Sequence, residues 1–232
     1  MAEGRVSVRW IRHHMTYSWW KYLLAVVVCV FGVNLLFTMT AYRPPEEKKI
    51  ELYVLNDLAD AAAMQAQLWP LFQAACPDQE ELSVVNINLS SSDPYVYMQF
   101  STYVAARQGD VCLMPESEVV KLAADGAEGA FADLGPYVES GVIDAMDIDL
   151  SAGMFADSAG VKRLYAIPAD SLYGLLEHGC DPKDSYLVLL SYNGNDENAA
   201  KMLDLMLGTY HCEKPAGYDE KHKSLTKPET IF

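Results

Sequence analysis

The chain has 232 residues and a mass of 25.7 kDa, room for one or two domains. An apolar fraction of 51% with 21% charged residues excludes wholesale disorder. The net charge of −15 is unevenly divided: residues 1–43 hold Arg5, Arg9, Arg12, Lys21 and Arg43 against Glu3, which leaves −19 for residues 44–232. A body this acidic repels phosphate backbones, so nucleic acid is excluded as its partner.

Residues 1–21 form a basic segment, and Tyr22 to Tyr42 contains no charged residue. At ~1.5 Å per residue that run crosses a hydrocarbon core of ~30 Å. Trp19, Trp20 and Tyr22 at one end and Tyr42 at the other suit the headgroup region. The basic residues before the span favour a cytoplasmic N-terminus and an extracytoplasmic main domain. The run is too long for the apolar core of a cleaved signal peptide, so a retained anchor is the preferred reading and cleavage after Met39-Thr40-Ala41 the alternative. Cys29 sits mid-span after three valines, which argues against a lipidation site. Asn34, the one strongly polar side chain in the run, reads as an amide tolerated near the outer end, with helix pairing as the alternative.

Residues 43–49 form a short charged stalk containing Pro44 and Pro45. Beyond it the pattern alternates. Ile50–Leu55 predicts a strand, and Met64, Leu68, Leu71, Phe72 and Ala75 mark one buried stripe of a helix. Residues 82–89 predict a second strand, and the loop Ser90-Ser91-Ser92-Asp93-Pro94 opens a second helix over 95–108. Val96, Phe100, Tyr103 and Val104 form its inner face, with Tyr97 in the core at the same spacing, and Gly109 ends it. Residues 110–114 predict a short buried strand, followed by a helix that Pro115 opens and Gly126 closes. This order predicts an α/β fold, a single lobe with a mainly parallel sheet flanked by helices.

The second half is less regular. Residues 163–168 and 185–191 predict strands, and Asn195-Asp196 opens a last helix with Ala199, Met202, Leu203 and Met206 inward and Gly208 at its end. The structured lobe is expected over 50–212. From Glu213 to Phe232 the chain is charged and nearly free of apolar residues, and it predicts a disordered tail.

Several short motifs carry a family resemblance. They are Gln108-Gly109-Asp110-Val111-Cys112-Leu113-Met114, then Gly129 to Val138 with its Asp133-Leu134-Gly135-Pro136, then Leu164-Tyr165-Ala166-Ile167-Pro168, then Asn195 to Leu203. Their order over about residues 50–208 resembles one lobe of the bacterial extracellular solute-binding proteins. The resemblance implies a bacterial cell-membrane location, a transport context, and a sugar or peptide as ligand. Two departures matter. The strand at 163–168 would lead into a second lobe, but the chain turns back almost at once. The family's Pro-Asp in the third-strand motif is also missing, leaving Asp110.

No phosphate loop, His-Glu-x-x-His, Cys-x-x-Cys or Gly-x-Ser-x-Gly motif occurs, so neither a cofactor nor catalysis is expected. A Cys180–Cys212 disulfide would tie the loop before the last strand to the end of the last helix, with free thiols as the alternative. His178, Cys180, His211 and Cys212 offer zinc-binding atoms but at no common spacing, so no metal site is assigned. Asp144, Asp147 and Asp149 lack the glycine and glutamate placement of a calcium loop and read as a solvated acidic loop.

In an open parallel sheet, ligands bind beyond the carboxyl ends of the strands. That rule selects Asn56 and Asp57, Ser91, Ser92 and Asp93, Glu116 and Ser117, then Asp170, Ser171 and Tyr173. Asp57, Asp93 and Ser117 serve equally well as helix caps. The expected function is a membrane-anchored, solute-binding-protein-like domain. It would bind a small solute, a transporter or envelope partner, or a second copy of itself. The alternative is a purely structural ectodomain of an envelope complex.

Overall fold

A computed structural model describes residues 8–42, 44–55, 59–89, 94–106, 108–124, 126–190 and 194–218. The chain divides into two compact units, residues 1–43 and 44–232. The first contains helix α1, Val8–Thr40. Its segment Trp19–Thr40 is 22 residues long, apolar and unburied, long enough to cross a membrane. The helix begins well before the uncharged run predicted from sequence.

The second unit alternates strands and helices. In chain order it contains β1 (Lys49–Val54), α2 (Ala61–Ala75), β2 (Glu81–Asn86), α3 (Pro94–Ala105), β3 (Val111–Pro115) and α4 (Glu116–Ala123). After α5 (Gly135–Glu139) come β4 (Met154–Ala156), β5 (Lys162–Leu164), β6 (Ala166–Pro168), β7 (Ser185–Leu189) and α6 (Asp196–Tyr210). The main sheet has the order β2-β1-β3-β7-β6. Strands β1, β2 and β3 are parallel, and β7 runs antiparallel to both β3 and β6. The sheet is therefore mixed but mostly parallel, and the unit is α/β.

Alternation along the strands assigns the two faces. Ile50, Leu52, Val54, Val111, Leu113, Leu187 and Leu189 point to the face covered by α2 and α6, where Met64, Leu68, Phe72, Met202, Leu203 and Met206 meet them. Tyr53, Cys112, Met114, Tyr186 and Val188 point to the other face, against Phe100 of α3 and Val119 of α4. Each fully buried Leu, Val or Phe contributes about 1.5–3 kcal/mol relative to exposure.

Four expectations change in detail. The strand expected at 163–168 breaks at Tyr165: β5 pairs with β4 in a separate two-stranded ribbon, and β6 joins the main sheet. Leu71 is exposed, because α2 packs through Met64, Leu68 and Phe72. Tyr97 is exposed rather than core, since α3 turns Phe100 inward and stacks Tyr103 on Tyr53 at 5.4 Å. Helix α6 continues through Gly208 to Tyr210, and this extension buries Tyr210.

Two glycines are required by their surroundings. Gly109 has φ +94, and a Cβ there would lie 2.3 Å from the Tyr53 ring. A Cβ on Gly153 would lie 1.7 Å from the carbonyl oxygen of Ala166, in β6. Gly129 has open space at the same test. Gly153→Ala is therefore expected to lower the urea midpoint sharply while Gly129→Ala leaves it nearly unchanged; equal midpoints for the two would contradict this packing.

Candidate functional site

The carboxyl ends of β3 and β6 and the start of β7 lie along one edge of the main sheet, because β7 is reversed. Glu116 and Ser117 open α4 there and are exposed. Asp170 follows β6, and its Oδ1 accepts the Asp184 N–H at 3.0 Å. The Asp184 carbonyl in turn accepts the Glu116 N–H at 2.8 Å. Two candidates from separate segments, Glu116 and Asp170, are thus joined through Asp184, whose own backbone has φ 52. Tyr186 sits among them. Burial raises its hydroxyl pKa first, and the carboxylates of Glu116, Asp170 and Asp184 raise it further.

Asp184 and Tyr186 were not selected from the sequence. A strand read as parallel presents its last residues at this edge, whereas the reversed β7 presents its first. Further along the same edge, at the end of β2, Asn86 donates its amide to the Ala59 carbonyl at 3.2 Å. Its Oδ1 is buried with no partner among the described residues, as is the hydroxyl of Ser171. Asn56, Asp57, Ser91, Ser92 and Asp93 lie outside the described residues.

Tyr173 opens a short 3-10 helix, Tyr173–His178, and its ring already has company. Tyr218 packs edge-on against it at 5.1 Å and donates its hydroxyl to Asp181 Oδ1 at 2.5 Å. Lys214 Nζ lies 5.6 Å over the Tyr218 ring. Residues 213–218, at the start of the expected tail, therefore fold back on the 170–184 segment, and residues 219–232 lie outside the described region.

The Cys180–Cys212 bridge is not formed. Cys180 is buried and Cys212 exposed, both as free thiols. The backbone explains the separation: Cys212 lies in a parallel bridge with Leu172 at the surface, whereas Cys180 is turned into the core, where burial pushes its thiol pKa up to about 12. The neighbouring histidines are also engaged. His178 Nε2 lies 2.6 Å from Gln67 Oε1, which also accepts the Tyr210 hydroxyl at 3.1 Å. His211 Nε2 lies 3.1 Å from Asp147. Among the described residues, no group of three His, Cys, Asp or Glu side chains is placed to hold a metal ion. Asp144 and Asp149 accept backbone N–H groups of Met146 and Ser151 at 2.9 and 3.0 Å, local turn contacts rather than an ion cage.

A second polar centre surrounds Arg163, which precedes β6 and so lies at the sheet end away from Asp170. Its guanidinium lies 3.3 Å from both Asp133 and Asp157. Open grooves of ≈ 420 and ≈ 260 Å³ flank it, both lined in part by Asp133 and Arg163. Nearby, the Glu128 carboxylate accepts the Ser158 N–H at 2.9 and 3.0 Å. Sequence reading placed Asp133 in a family motif and Arg163 in a predicted strand but neither in a site, because the two are 30 positions apart.

Partial likenesses to solved structures were found. One is an extracellular solute-binding protein family 1 member from Alicyclobacillus acidocaldarius subsp. acidocaldarius DSM 446, 17% identical with a TM-score of 0.38 over 56% of this chain and 29% of that one. Another is the GacH receptor of Streptomyces glaucescens GLA.O, solved unliganded and with acarbose and an acarbose homolog, at 16% identity and TM-score 0.35 over 52% and 28%. A third is a probable secreted solute-binding lipoprotein from Streptomyces coelicolor, at 16% identity and TM-score 0.35 over 54% and 30%. The chain spans less than a third of the length of each. No protein-family model and no curated protein sequence matches it.

The hydrogen bonds from Ser158 hold the Glu128 pKa below the usual carboxylate range. The stability this supplies is present above the unfolded value of about 4.3 and is lost as pH falls through the lower folded value. Urea unfolding from pH 6 to pH 3 is expected to show Glu128→Gln losing less stability on acidification than the parent. Parallel curves with a constant offset would contradict that role.

Proposed function

We propose that this chain is a single-pass, membrane-anchored binding domain, with its N-terminus cytoplasmic and its α/β unit extracytoplasmic in a bacterial envelope. It acts as one lobe of a solute-binding protein would. It presents the carboxyl edge of its sheet to a small solute, a sugar or peptide, or to a transporter or envelope partner, and it performs no catalysis. The observation that carries this reading is the short return from β6 to β7. With residues 169–184 alone between these strands, the edge bearing Glu116, Asp170 and Asp184 is one wall of a cleft without the second.

A one-walled site leaves much of a small ligand in water, so its affinity is low and a protein surface is the better-fitting occupant. The basic residues before the uncharged run support the orientation. The motif order at 108–114, 129–138, 164–168 and 195–203 supports the comparison with one lobe.

One observation favours a second reading, a structural ectodomain without solute binding. Tyr173, the aromatic ring among the residues selected at the ligand edge, is packed against the chain's own Tyr218.

Thermal unfolding of the detergent-solubilised full chain against sugars, amino acids and short peptides separates the two. A ligand at a hundred times its dissociation constant adds about 2.7 kcal/mol, seen as a shift of several degrees. The proposal expects a saturable shift with one ligand class that Asp170→Asn weakens. A flat response across the panel would remove solute binding and favour the structural reading.

A further inference from the structure

The apolar helix carries a polar group that its own chain satisfies incompletely. Asn34 is exposed on the surface of α1. The Thr38 hydroxyl donates to the Asn34 backbone carbonyl at 2.8 Å and reaches Asn34 Oδ1 at 3.4 Å. Among the described residues, no acceptor receives the Asn34 amide N–H groups. In hydrocarbon, which offers no acceptor, an unmade hydrogen bond is costly.

Asn34 also flanks a shallow groove on the helix surface, lined by Cys29, Val30, Val33 and Phe37. At 100° per residue these five side chains share one side of the helix. Phe31 and Leu35 lie on the opposite side.

A side-chain amide is both donor and acceptor. The same amide on a second copy is therefore its natural complement: across a two-fold axis each Asn34 donates to the other's Oδ1. Every copy inserts in the same direction, so the two helices meet in parallel with equal depths facing, as an isologous pair requires.

We infer that α1 pairs with α1 of a second copy along the Cys29–Val33–Phe37 face, with the two Asn34 amides hydrogen-bonded to each other. This inference rests on the membrane-anchored reading and extends it. Pairing the anchors holds two half-clefts at raised effective concentration, where each supplies a neighbour that a single lobe lacks.

The test uses the full chain in liposomes, in a Cys212→Ser background so that the exposed thiol forms no link. Oxidative crosslinking is followed for cysteine at positions 29, 33 and 37, then at 31 and 35 with Cys29→Ala. Flotation of the same liposomes reports insertion. The inference expects crosslinked dimer from the first set and little from the second. Asn34→Leu, which keeps the span apolar, is expected to lower the dimer at least tenfold, and Asn34→Gln to retain it. Chains that float but crosslink equally on all sides, or not at all, overturn the pairing and leave the anchor standing. Chains that fail to float overturn the anchor and the pairing together.

Discussion

Strand β7 is buried at all five of its positions, and it reaches that burial by pairing in reverse with β3 on one side and β6 on the other. Leu187 and Leu189 enter the core beneath α2 and α6, and Tyr186 and Val188 enter the core on the opposite face. Without this strand β6 has no neighbour in the main sheet. The reversal also decides where the polar groups fall. It brings Asp184 to the carboxyl edge, where its backbone links Asp170 to Glu116. The device that completes the hydrophobic core therefore also assembles the acidic part of the candidate site.

In the proposed reading the same connection limits what the site can do. A binding cleft encloses a ligand when two walls meet around it, and in that reading the chain builds one. The charge of the unit selects among occupants of the open side. With −19 over residues 44–232, a cationic or polar neutral surface is favoured and an anionic one is repelled. Tyr218, folded on Tyr173 and Asp181, narrows the edge further. These features agree with a domain that docks more readily than it encloses.

Much of the architecture was legible in the residues. The run at 50–55, the short buried run at 110–114 and the helical stripe Met64, Leu68, Phe72 mark strands and helix directly, because burial on a strand or helix demands such patterns. Strand direction was not legible: a fully buried run such as 185–189 looks the same in either orientation, and Asp184 and Tyr186 were missed for that reason. The break at Tyr165 is a tertiary effect, since residues 162–164 pair with 154–156 while 166–168 pair with β7. The sequence left a Cys180–Cys212 bridge and free thiols both open, because spacing does not reveal that Cys180 turns inward and Cys212 outward. Of the ten edge residues chosen from sequence, Glu116 and Asp170 are linked through Asp184, Tyr173 meets Tyr218, and five lie outside the described residues.

In the proposed topology the chain is anchored and its α/β unit lies outside the cytoplasm. Cys76, Cys112 and Cys180 are buried and Cys212 is exposed, so Cys212 is the natural reporter of that unit's location. A membrane-impermeant maleimide added to intact spheroplasts is predicted to label the full chain at once, with labelling lost in Cys212→Ser. Labelling that appears only after lysis would place the unit in the cytoplasm and contradict the account.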